Sequence, residues 1–133
     1  FLQDDDAGRL TEAASPIDAS AVTKRAFGMA NHDASGVTDT DIAFTWIGPY
    51  VTFEISLMEL TAGNHTLVQA DQWKVYPITK ATNYWYLNAD AVSDTGGAVV
   101  VGFKDPIGTV NGRVYAMLTS TARGGANAAS GVY

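Results

Sequence analysis

His32 and His65 are the two histidines of the chain, and no cysteine accompanies them. A structural zinc site takes about four nitrogen, sulfur or oxygen ligands, so two distant imidazoles fall short of one. No Gly-x-Ser-x-Gly elbow offers either histidine a serine partner. Both fall in loops rich in Asn and small residues and read as surface histidines. Asp4-Asp5-Asp6 and Asp39-Thr40-Asp41 present carboxylate oxygens. Calcium asks for roughly six to eight oxygens from several directions, and neither run has the spacing of a calcium loop with its closing Glu. They read as acidic, solvated surface. Asn64-His65-Thr66 fits the N-glycosylation sequon and lies in a predicted loop.

Asp94-Thr95-Gly96 matches the short signature of aspartic proteases. That chemistry needs two carboxylates sharing a proton. Ser93 stands where an apolar residue would precede the motif, and only 39 residues follow Asp94. Asp-Thr-Gly-Gly is also a common turn, and the turn reading is the one taken. No set of catalytic, cofactor-binding or metal-ligating residues emerges, and the expectation is a protein that is not an enzyme.

Aromatic side chains remain. Trp46, Trp73 and Trp85 with Tyr76, Tyr84 and Tyr86 could form a platform on which sugar rings stack. Alternation puts Trp46 on the buried face of its strand, and Trp85 lies in a segment apolar on both sides, so core packing is the expected role of this set. Tyr50, Tyr76 and Tyr84 are the aromatics expected at the surface, where large rings mark interfaces.

The background of the chain agrees with a folded domain. It has 133 residues, 47% of them hydrophobic, 11% aromatic and 17% charged. One domain fits this length. Apolar content is high enough to offset chain entropy, and charge is lower than the ~25% of ordinary domains. Without cysteine there is no disulfide framework. The formal net charge of −6 argues against a broad electrostatic grip on nucleic acid. No apolar run approaches the ~20 residues of a membrane-spanning helix. The charge is uneven: residues 1–41 hold eight acids and three bases, and residues 42–133 six acids and five bases. An acidic leader therefore precedes a nearly neutral body.

Strand signals dominate from Asp41 onward. Ile42, Phe44 and Trp46 alternate with polar or small residues, and Val51, Phe53, Ile55 and Leu57 alternate with Thr52, Glu54 and Ser56. The alternation slips at Met58-Glu59-Leu60, which predicts a bulge. Thr61-Ala62-Gly63-Asn64 predicts a hairpin loop, and further strands are expected over 67–76, 84–87 and 98–103. Asn111-Gly112 predicts a type I′ hairpin joining Thr109-Val110 to 113–118. Ser15-Pro16-Ile17-Asp18 has the form of a helix start, giving a short helix over 16–27; an extended segment over 21–29 is the equal alternative.

The expected fold is thus all-β: a single-domain antiparallel β-sandwich or barrel of about seven strands. It divides into an acidic arm and loop region over 1–40, a body over 41–121 and a Gly/Ala-rich arm over 122–133. The run 122–131 has no hydrophobic anchor, so a neighbouring subunit is its expected holder, with Val132 and Tyr133 as terminal anchor. The chain opens on Phe1 rather than Met, the mark of a processed or longer product. Ala128-Ala129-Ser130-Gly131-Val132-Tyr133 resembles the end of some coat proteins of single-stranded RNA phages. That resemblance covers six residues, while the basic RNA-facing sheet and two terminal helices of those proteins have no counterpart here, and it is set aside.

A low-charge β-domain with long arms fits a repeated structural subunit, most concretely a phage or virus capsid decoration (cement) or coat protein. The expected contacts run through Phe1, Leu2, Tyr50, Tyr76, Tyr84, Val132 and Tyr133. The expected partners are copies of itself or a major capsid protein, with no nucleic acid, no membrane span and no cofactor. A virion or an extracellular surface assembly is the expected location. The alternatives are an extracellular filament subunit and a secreted carbohydrate-binding module.

Overall fold

Thr52 and Glu54 face solvent while Phe53, Ile55 and Leu57 are buried, as a half-buried strand of period two requires. Burying each of these three side chains contributes about 1.5–3 kcal/mol, and they form the centre about which the chain is organised. The computed structural model describes residues 1–4, 10–13, 15–17, 26, 28–31, 43–48, 50–59, 61, 63–91, 96–119 and 122.

Within these residues the strands are β1 (Leu2–Asp4), β2 (Leu10–Glu12), β3 (Gly28–Ala30), β4 (Phe44–Trp46), β5 (Thr52–Met58), β6 (Val75–Tyr76), β7 (Ile78–Lys80), β8 (Trp85–Asn88), β9 (Ala98–Phe103) and β10 (Arg113–Leu118). One 3₁₀ turn spans Gln69–Asp71. The protein is all-β, with two packed sheets ordered β2-β1-β3-β4 and β6-β9-β10-β5-β8-β7. Ten strands are described where the sequence suggested about seven, because the acidic leader contributes β1, β2 and β3.

The six-stranded sheet is rolled. Its two edge strands, β6 and β7, are consecutive in the chain and separated by Pro77 alone. A single residue spans about 3.5 Å, so the two edges converge there. Pro77 has no N–H to leave unpaired, and its carbonyl accepts the N–H of Asn88 at 2.9 Å. Convergence of the edges removes most of the open backbone that a flat sheet would present. It also brings β8 in parallel to β5, with Leu57 opposite Leu87, so the sheet is mixed and not purely antiparallel as expected.

Phe1 and Leu2 were expected in a free arm. Instead Leu2 is buried, and the Phe1 ring stands edge-on to both Phe53 and Trp85, with centroids 5.4 Å apart in each case. Apolar side chains at the head of β1 find a site on their own chain, which ties the four-stranded sheet to the six-stranded one. Ser15-Pro16-Ile17 does not open a helix. Ile17 is fully buried and bridges Ile78 through two backbone hydrogen bonds of 2.8 and 3.0 Å, while the Ser15 hydroxyl accepts the N–H of Lys80. Ala26 is not helical either, and positions 18–25 and 27 of the predicted helix lie outside the described residues.

Other local expectations change too. The Leu67–Tyr76 strand becomes the 3₁₀ turn followed by β6. Thr61–Asn64 leads into that turn and not into a hairpin partner of β5. A bulge lies on β9, where Tyr115 pairs with Gly102 and Ala116 with Val100 so that Val101 is the extra residue; of the bulge expected at Met58-Glu59-Leu60, Leu60 lies outside the described residues. Asn111 does take a positive φ of 51°, yet Val110 pairs with Thr66, and β10 forms its hairpin with β9 through the long loop 104–112.

Candidate recognition surface

Asp71 is the one charged residue fully buried among those described, at 1% exposure. Its carboxylate is met on every side. Oδ2 accepts the Val68 N–H at 2.9 Å and faces His65 Nε2 at 2.9 Å, and Oδ1 accepts the Tyr76 hydroxyl at 2.8 Å. Burial by itself pushes this carboxyl up, but the Val68, His65 and Tyr76 hydrogen bonds together hold it below the ordinary carboxylate value. An ionised carboxylate only accepts, so the hydrogen-bond network assigns a hydrogen to Nε2 of His65. The other ring nitrogen faces Glu59 Oε1 at 3.3 Å. Both ring nitrogens thus face carboxylate oxygens of their own chain. Among the described residues no group of three or more His, Cys, Asp or Glu is placed to hold a metal ion.

The role of this cluster is to hold loops. The His65 backbone is clamped by Asn111, whose N–H donates to the His65 carbonyl at 2.7 Å and whose Oδ1 accepts the His65 N–H at 3.0 Å. Leu67 continues the clamp through Thr109 and Gly108. Segment 65–73 and loop 104–112 therefore form one rigid end of the domain. On it stand Val68, Ile107, Val110 and Trp73, all exposed. Asn64, the sequon residue, is here as well, with its Oδ1 accepting from Asn111 Nδ2 at 2.9 Å.

Trp73 is the outlier of this group. Its side chain is 68% exposed and its backbone sits at φ 70°, a left-handed conformation costing a bulky L-residue about 1–2 kcal/mol. The Trp73 N–H is fastened to the Val100 carbonyl at 2.7 Å. Neither burial nor backbone preference accounts for a tryptophan at this position.

A second aromatic surface lies on the four-stranded sheet. All three residues of β4 are exposed, and Phe44 and Trp46, two positions apart, share one face. Trp46 was expected in the core and is 60% exposed; Ile47 is the side chain that inserts instead. The absence of a side chain at Gly28 lets the Phe44 ring cross the neighbouring strand, since a Cβ there would meet Phe44 Cδ2 at 2.7 Å.

Of the aromatics expected at the surface, Tyr50 is 82% exposed, again at a positive φ of 65°, and Tyr84 is half exposed. Tyr76 is a correction: it is 2% exposed, because Asp71 gives its hydroxyl a buried partner. Trp85 packs against the core as expected. Val132 and Tyr133, and also His32, Asp5, Asp6, Asp39, Asp41, Asp94 and Thr95, lie outside the described residues. Among the described residues no helix is long and apolar enough to cross a membrane. No protein-family model, no curated protein and no solved structure matches this chain.

Proposed function

We propose that the protein is a non-catalytic structural subunit of a repeated assembly, most concretely a capsid decoration or coat protein working in a virion or an extracellular surface assembly. The observation that supports this most directly is β4. A strand at the end of its sheet order carries Phe44 and Trp46 side by side on an exposed face, and Tyr50 follows in an exposed turn. Exposed aromatics of this kind bury well against another subunit and are the side chains that dominate interface energetics. Copies of this chain are the partner the reading names first, and a major capsid protein is the second.

The test is association state. Light scattering on the protein across a concentration series is expected to give oligomers, and Phe44→Ser with Trp46→Ser is expected to return them to monomers without changing the circular dichroism spectrum. A protein that stays monomeric throughout, and forms no particles by electron microscopy alone or with candidate capsid protein, overturns the proposal.

A further inference from the structure

We infer that Trp73, Gln69 and Gln72 form a binding subsite for a neutral glycan, at the opposite kind of surface from the aromatic face of β4 and independent of the assembly reading. The starting point is that Trp73 is both exposed and held in a left-handed backbone conformation. Backbone strain under an exposed ring points to a contact made outside the chain. The question is which ligand chemistry suits its neighbours.

Two of those neighbours are carboxamides. Gln69 opens the 3₁₀ turn and Gln72 is the residue that closes it, three positions on. Gln69 Nε2 donates to Gln72 Oε1 at 2.7 Å, and Gln72 Nε2 donates to the Val101 carbonyl at 3.2 Å. The Gln72 amide is thereby fixed at both ends, and it orients Gln69 while leaving Gln69 a second N–H and its oxygen for a ligand. Trp73 and Gln72 are both tied to β9, through Val100 and Val101, so indole and amides share one rigid support. The acid of this turn, Asp71, is turned inward with its oxygens already engaged by Val68, His65 and Tyr76.

An exposed indole next in sequence to uncharged, preoriented amides suits a pyranose. The C–H face of the sugar lies on the ring and its equatorial hydroxyls meet donor and acceptor at the edge. Gln69, Ala70 and Lys74 beside Trp73 are themselves exposed, which leaves the indole open to a ligand. A nucleic acid suits it less, since stacking would be opposed by a chain of net charge −6.

The experiment is calorimetric or NMR titration of the full chain with cellohexaose, laminarihexaose, chitohexaose and linear galactohexaose, and with oligogalacturonate as the charged comparison. At least one neutral oligosaccharide is expected to bind in the micromolar to millimolar range, with little change on adding salt. Trp73→Gly, which suits the positive φ and so keeps the turn, is expected to weaken binding about tenfold or more, and Gln69→Ala about threefold. The inference is overturned if no neutral sugar binds at about 10 mM. It is equally overturned if Trp73→Gly leaves binding intact, or if oligogalacturonate binds preferentially through Lys74 with a steep salt dependence.

Discussion

The hydroxyl of Tyr76 donates to Oδ1 of Asp71 across 2.8 Å in the interior of the domain, joining the edge strand β6 to the 3₁₀ turn five residues before it. This bond fastens the segment that carries Val68 and Trp73. Tyr76→Phe keeps the buried ring and removes only the donor, leaving an ionised acceptor short of a partner. A loss of about 2 kcal/mol is expected by urea denaturation. A change within about 0.5 kcal/mol, the range of ordinary surface substitutions, means that Asp71 does not depend on this donor.

The same carboxylate governs acid stability. Its folded-state value is depressed below the ordinary 3.8, because the three hydrogen bonds outweigh the upward push of burial. A depressed carboxyl contributes stability fully above its unfolded value and loses it as pH falls through the folded one. The window therefore opens just below pH 3.8 and extends downward. Asp71→Asn is expected to be less stable at neutral pH yet to show a flatter acid limb, read as urea midpoint against pH. An unchanged slope between pH 4 and 2 in that variant would contradict the assignment.

Tyr86 supplies the contrast. It is as buried as Tyr76, but its hydroxyl has no hydrogen-bond partner among the described residues. Burial pushes its phenol up, with smaller contributions from Tyr84 and Asp90. Removing an unpartnered hydroxyl relieves a desolvation cost, so Tyr86→Phe is expected to be neutral or to stabilise by up to about 1 kcal/mol. A loss as large as that of Tyr76→Phe would place a buried water on the Tyr86 hydroxyl.

The contrast between the two tyrosines marks where sequence reading ends. Alternation over 51–57 identified the face of β5 correctly, because period two is a local property. For β4 it identified only which residues share a face. Phe44 and Trp46 do share one, but which side of a strand meets the core depends on the sheet packed against it, and here that side is solvent. His65, Asp71 and Glu59 lie six residues apart in sequence, a spacing with no helical or strand meaning. Asp71 meets His65 because the chain turns back over Gln69–Asp71. The one local clue was an acid three residues after Val68, positioned to accept that residue's N–H at the start of a helical turn. The rolled sheet was equally hidden: only the pairing of β6 with β9 and of β7 with β8 reveals that Pro77 joins two edges.

Trp73 offers the sharpest separation of fold from function. Its φ of 70° is comfortable for glycine and strained for any residue with a Cβ, and its exposed ring adds little burial. Trp73→Gly and Trp73→Ala remove the same indole but treat the backbone differently. Glycine relieves the strain and accepts a larger unfolded-state entropy; alanine keeps the strain and gains no contact. The glycine variant is therefore expected to exceed the alanine variant by about 1 kcal/mol in urea denaturation. Against the parent, it should lose no more than a few tenths of a kcal/mol. If both variants instead lose about 2 kcal/mol or more, the size of a buried large apolar side chain, the indole is part of the packing and its exposure is not available to any ligand.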